Sequence, residues 1–323
     1  MANHDTSRFC KLWVSSCIPA EVILETIQHL PFGDGKLISS LRCAHPRLHD
    51  IFRIYERSIT VGFMRKELRH AQIDFQCQAT VSLDWLANCV EQYNVVDDVM
   101  DVLFAKTNCF GVERHNICLA NTGLLLLYRV VSIEGQGPRI AYLQSLQRDP
   151  LIAIYIVIQH ATLSARYHGS GWIHQRTYGR FMDANQISLR NELEFCFAEA
   201  ALSYGPKFVS DMLLHHDSSC AEATLLNVYH DFGSHDWLWP CWGNGKGEFE
   251  PPRTQGPQRS PEYSKASLFS TLLEAMSEAM RCPLNEVRSR VEQRTHLKHH
   301  PLAYLGLEGK AVLLQGLNLE EKP

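Results

Sequence analysis

The chain has 323 residues, 45% of them hydrophobic and 20% charged, with a formal net charge of −4. That is an ordinary balance for a soluble globular protein, long enough for one large domain or two smaller ones. The lack of a basic surplus argues against nucleic acid or an anionic membrane as the partner, although a local basic patch is compatible with it. Eleven cysteines, an odd number with no Cys-x-x-Cys pair and no apolar leader behind residues 1–8, point to free thiols in a reducing compartment, cytoplasm or nucleus. The longest strongly apolar run, residues 151–158, is too short to span a bilayer, so no membrane segment is expected.

In chain order the pattern is that of a mainly α protein. Residues 19–30 read as a helix that opens with Pro19, which suits a first helical turn, and that places Val22, Ile23, Ile27 and Leu30 on one broad face. The run Pro31-Phe32-Gly33-Asp34-Gly35 ends that helix. Residues 36–44 and 46–54 read as two more short helices. Residues 55–75 look less regular, with Ile59-Thr60-Val61 as an extended link and a further helix at 63–70.

Ser82 is placed to cap a long helix running to about residue 104. Helices follow at 116–131 and, after a short stretch at 140–146, from 149 to about 168. Residues 172–183 and 188–203 read as helical, as do 207–214 and a segment from a Ser218 or Ser219 cap to about 229. Residues 231–260 are rich in Gly, Pro and Trp, with a flexible linker at their end. Late helices are expected at 262–280 and 283–295, and no period is evident beyond residue 299. The expected layout is a tail at 1–17, a three-helix module at 18–57, an irregular helical array at 58–248, a linker at 249–261, and C-terminal helices and tail at 262–323.

The segment Ile18-Pro19-Ala20-Glu21-Val22-Ile23-Leu24-Glu25-Thr26-Ile27-Gln28-His29-Leu30-Pro31 resembles the opening of an F-box. Leu37-Ile38-Ser39-Ser40-Leu41-Arg42-Cys43-Ala44-His45-Pro46-Arg47-Leu48 resembles its second half. The turn Gly33-Asp34-Gly35 is expanded relative to the family, Pro46 replaces a basic or polar residue, and an aromatic that many members carry is missing. The physics suits a binding module, since three short helices bury their own apolar faces poorly and gain from a partner that covers them. The resemblance implies docking to a Skp-type adaptor of a cullin ubiquitin ligase. It implies Ile18, Pro19, Val22, Ile23, Ile27, Leu30, Leu37 and Leu41 as adaptor-binding positions, some facing the adaptor and some the core. It covers about an eighth of the chain. The remainder is similar to the helical C-terminal regions of fungal F-box-containing proteins, most of all at residues 174–186. The expected role is a substrate receptor that binds an unknown protein target and performs no chemistry, with no cofactor.

Other constellations carry less. His215-His216-Asp217, His230-Asp231 and His235-Asp236 offer metal-ligand types near residues 215–236, the basis of an alternative reading as a metal-dependent enzyme. No ligand pair among them has a spacing with a known mechanism, and His is also favoured at helix ends. Asp231-Phe232-Gly233 and Gly243-Asn244-Gly245-Lys246-Gly247 lack the companion motifs of a kinase or a P-loop. Arg176, Tyr178 and Arg180, together with Trp237, Trp239 and Trp242, are candidates for target binding, because Arg and Trp are enriched at interface hot spots. The remaining alternative is a helical scaffold in which the F-box-like start is part of the core.

Overall fold

The computed structural model describes residues 18–75, 81–169, 171–174, 184–215, 220–233 and 266–319. Among these residues the protein is mainly α, with fourteen α-helices and no strand. Three of them open the chain: α1 (Ala20–His29), α2 (Lys36–Ala44) and α3 (Pro46–Glu67). Gly35 precedes α2 at φ +76°, where a side chain would also crowd Ala87 and Phe32, so the turn depends on glycine. His45 accepts a hydrogen bond from the Arg47 amide at 3.1 Å, and Pro46 occupies the first turn of α3.

α3 corrects the reading of residues 55–75. It runs unbroken to Glu67, so the sequence-expected module end at residue 57 lies within a helix, and Ile59-Thr60-Val61 is helical rather than extended. Packing decides this. Ile59 and Phe63, one turn apart, are both fully buried, and the Thr60 hydroxyl donates back to the Glu56 carbonyl at 2.8 Å. The short α4 (Ala71–Asp74) follows.

Tertiary hydrogen bonds set α1 beside α3. At one end the Arg47 guanidinium donates to the Ile18 carbonyl. At the other the Glu67 carboxylate accepts from the Phe32 amide at 3.0 Å, and Lys66 donates to the Leu30 carbonyl at 3.2 Å. Like ends meet, so α1 and α3 run in the same direction, and α2 packs against α3. Ile23, Ile27, Phe32, Ile38, Phe52 and Phe63 form the core of this unit, closed on one side by Leu83 and Leu86.

Those two leucines begin α5 (Leu83–Phe104). Ser82 caps it by accepting from the Trp85 amide at 3.1 Å, as its sequence suggests. Beyond α5 lies a larger core built on α6 (Ile117–Ser132) and α8 (Arg148–Tyr167), joined by α7 (Gln136–Ser145). α6 and α8 approach closely at Gly123, where a Cβ would overlap the Ala153 carbonyl oxygen and lie 2.9 Å from a Val157 methyl. α9 (Ala184–Tyr204), α10 (Pro206–Leu214), α11 (Ala221–Phe232) and α12 (Leu268–Met280) wrap this pair. Phe195 on α9 makes edge contacts with Phe232 and Phe269, tying three helices together. Buried Glu199 accepts from the amides of Leu268 and Phe269 and from the Ser267 hydroxyl, so it caps α12 from across the core.

Residues 172–174 form turns rather than the start of a helix, and residues 175–183 lie outside the described residues. The segment beyond residue 299, where no period was visible, holds a helix. After α13 (Val287–His296) the chain turns through 297–306 into α14 (Leu307–Leu314), and Leu302, Leu313 and Leu314 are buried. This segment clasps the start of the body. Lys310 pairs with buried Asp74 at 2.9 Å, the Arg129 guanidinium donates to the carbonyls of Leu314 and Ile73, and buried Asp149 accepts from the Leu319 amide at 3.0 Å. No helix among the described residues is long and apolar enough to cross a membrane.

Candidate functional site: the surface of the first three helices

The sequence-predicted adaptor positions divide into three groups. Ile23 and Ile27 point into the module core and are inaccessible, so they hold α1 in place and face no partner. Ile18, Leu30 and Leu41 are half-buried and pack at the edge of that core. Pro19, Val22 and Leu37 are exposed; Val22 keeps 50% and Leu37 46% of its surface in water. Ile54 and Tyr55, midway along α3, are also exposed. Sequence reasoning had assigned neither of these two a role, because a helical run of apolar residues does not say which face is covered.

Local structure explains the division. Ile23 and Ile27 are spaced one turn apart on the inward face of α1, and Val22 is rotated by about 100° from Ile23. On α2 the inward position is Ile38, and Leu37 turns away. The surface carries charge as well as apolar area: Lys36 pairs with Asp34 at 2.7 Å in the turn before α2. That contact holds the Asp34 carboxyl below its ordinary range and Lys36 above its own. Both groups are fully exposed, so the pair orders the turn without adding much stability.

The other predicted residues fare differently. Arg176, Tyr178, Arg180, Trp237, Trp239 and Trp242 all lie outside the described residues, as do His216, Asp217, His235 and Asp236. His230 is exposed on the last turn of α11 beside Asp231. His215 ends α10 in the left-handed conformation, and burial, then the nearby His174, lowers its pKa. Among the described residues no three His, Cys, Asp or Glu side chains are grouped as metal ligands. Arg190 is buried and belongs to the body.

Among the described residues Cys43, Cys89, Cys109, Cys118, Cys196, Cys220 and Cys282 form no disulfide. Burial pushes the Cys196 thiol up to about 12, consistent with a small core side chain. One feature that sequence reasoning missed is a basic cavity between α13 and the turn before α14. Its signal was present in Val287-Arg288-Ser289-Arg290-Val291-Glu292-Gln293-Arg294-Thr295-His296-Leu297-Lys298-His299-His300, which holds four Lys or Arg and three His against one Glu. Comparison with known proteins found no matching family model, no matching curated protein and no matching solved structure.

Proposed function

We propose that α1 to α3 are an F-box-like docking module for a Skp-type adaptor, and that the chain is a substrate-receptor subunit of a cullin ubiquitin ligase with no chemistry of its own. The observation that carries this reading is the placement of Val22 and Leu37. Both occupy positions of the F-box-like pattern, and both stay exposed although their neighbours Ile23 and Ile38 are fully buried. Exposed apolar side chains on short helices gain from a protein partner that removes them from water. A scaffold in which these helices were merely the start of the body would bury Val22 against later elements.

The scaffold reading keeps one observation in its favour: Leu83 and Leu86 of α5 complete the module's core, so the three helices do not stand apart from the body. One experiment separates the two. Full-length protein co-expressed with a Skp-type adaptor is expected to elute with it in gel filtration. Val22→Asp combined with Leu37→Asp is expected to weaken the complex by about tenfold or more, with the melting temperature of the free chain unchanged. Failure of the wild-type chain to hold the adaptor, or equal binding by the double variant, sinks the docking reading.

A further inference from the structure

Cys109 and His168, far apart in sequence, meet at the surface. The Cys109 Sγ lies 3.3 Å from the His168 Nε2, and both residues are exposed. The thiol sits in the loop between α5 and α6, and the imidazole belongs to the residue that ends α8. Both neighbours of Cys109 are tied down. The Asn108 amide donates to the buried Ser164 hydroxyl at 2.8 Å and to the Val102 carbonyl at 3.1 Å, and its oxygen accepts from the Phe110 amide at 3.0 Å. The Phe110 ring stacks on Tyr167 with centroids 4.1 Å apart and 18° between the planes, and its carbonyl meets His160 at 2.7 Å. Asn108 and Phe110 are thus each anchored to α8, so the fold itself brings the thiol to the imidazole.

This contact sets Cys109 apart. Among the described residues Cys43, Cys118 and Cys220 are exposed as well, and none of them hydrogen-bonds to an imidazole. Cys89, Cys196 and Cys282 are buried. A thiol attacks only after losing its proton, and a ring nitrogen at hydrogen-bond distance is a base placed to take it. Zinc needs about four ligands in a structural site, and among the described residues no third His, Cys, Asp or Glu joins the pair. Both side chains stand open to water, so a small reagent reaches them by diffusion. A hydroperoxide uses both halves of the pair, the sulfur as nucleophile and the imidazole as proton donor to a leaving oxygen.

We propose that Cys109 is a modification site, oxidised to the sulfenic acid by small hydroperoxides with His168 moving the proton. As Sγ attacks one peroxide oxygen, the thiol proton passes to Nε2 of His168. The S–O bond forms, the O–O bond breaks, and the same nitrogen gives the proton to the leaving oxygen. Cys109 loses two electrons, and the hydroperoxide is reduced to an alcohol, or to water where the reagent is hydrogen peroxide. The site lies on the α5–α6 loop and the end of α8, and it does not rest on adaptor docking by α1 to α3.

The test treats reduced full-length protein with hydrogen peroxide in the presence of dimedone, which traps sulfenic acids, and follows each cysteine by peptide mass spectrometry. Cys109 is expected to be labelled about tenfold faster than Cys43, Cys118 or Cys220, a modest share of what a placed acid–base group supplies. His168→Gln leaves an amide at the position, which takes up no proton. In that variant Cys109 is expected to slow to the rate of the other three, whose labelling stays as it was. Buried Cys196 reports unfolding in the same experiment: its protection in the variant shows that the slower rate comes from an intact fold. Labelling of Cys109 no faster than that of the other exposed thiols overturns the proposal. A preference for Cys109 that survives His168→Gln does so too, since accessibility alone would then account for it.

Discussion

His160 sits on α8 and donates its Nδ1–H to the Phe110 carbonyl oxygen at 2.7 Å. Burial lowers its pKa, outweighing the opposing effect of that hydrogen bond. The folded ring therefore sheds its proton more readily than the unfolded one. Between the depressed value and the ordinary one of about 6.5 the unfolded chain binds more protons, so stability is present above that window and is lost as the pH falls through it. His160→Asn keeps a donor for Phe110 and removes the titration. The drop in urea midpoint between about pH 8 and about pH 5.5 is expected to be smaller in the variant than in the wild type. An equal drop in both would assign the acid sensitivity to other groups.

At this same scale the sequence was least informative about the candidate site. Val22 and Ile23 are adjacent, both β-branched and apolar, and both fit the F-box-like pattern, yet one is half exposed and the other fully buried. Only the neighbours supplied by α3 and α5 distinguish them. The distinction redirects mutagenesis. Ile23→Asp would place an unpaired carboxylate in the module core at a cost of several kcal/mol, on the order of 4, and would report on folding instead of binding.

Among elements, the α6–α8 pair depends on a missing side chain. Gly123 lets the two backbones approach until no room remains for a methyl group beside the Ala153 carbonyl. Backbone on a packed helix cannot move aside as a flexible side chain can. Gly123→Ala is therefore expected to destabilise the fold by roughly 3 kcal/mol in spite of alanine's higher helix propensity. Thermal melting checks this, and an unchanged or raised midpoint would mean that the helices separate at little cost.

Elements with local signals were legible. Ser82 with its apolar period marked α5, and Pro31 with the following glycines marked the end of α1. Elements whose reasons are non-local were not. The middle of α3 reads as an extended link because Ile59-Thr60-Val61 is β-branched, and it becomes helix because Ile59 and Phe63 pack into the first core. α14 has no visible period because Leu313 and Leu314 meet partners far away in sequence. The target-binding candidates at 176–180 and 237–242 rest on residue type alone. The basic groove went unnoticed because its cations come from two turns of one helix and from the loop beyond it.

For the whole molecule, the C-terminal clasp joins distant parts of the chain. Asp74 accepts from the Tyr93 hydroxyl at 2.7 Å and from Lys310 at 2.9 Å, and burial followed by the Asp74 contact raises the Tyr93 pKa. Asp74→Ala strands the Lys310 ammonium in a nearly buried position, at a cost of about 3 kcal/mol. Amide exchange in residues 307–319 is expected to accelerate more than in α6 or α8, because the clasp opens before the central pair does. Uniform acceleration across all helices would show that the clasp and the central pair unfold together.

That clasp also sets an order of events during synthesis. Residues 18–90 contain the buried residues of the first core and the side chains packed on it, so α1 to α3 can acquire their shape early. The second core cannot close until residues 302–319 have emerged to cover Arg129, Asp149 and the ends of α6 and α8. For most of translation, then, the nascent chain displays its first three helices ahead of a body whose polar anchors still lack their partners.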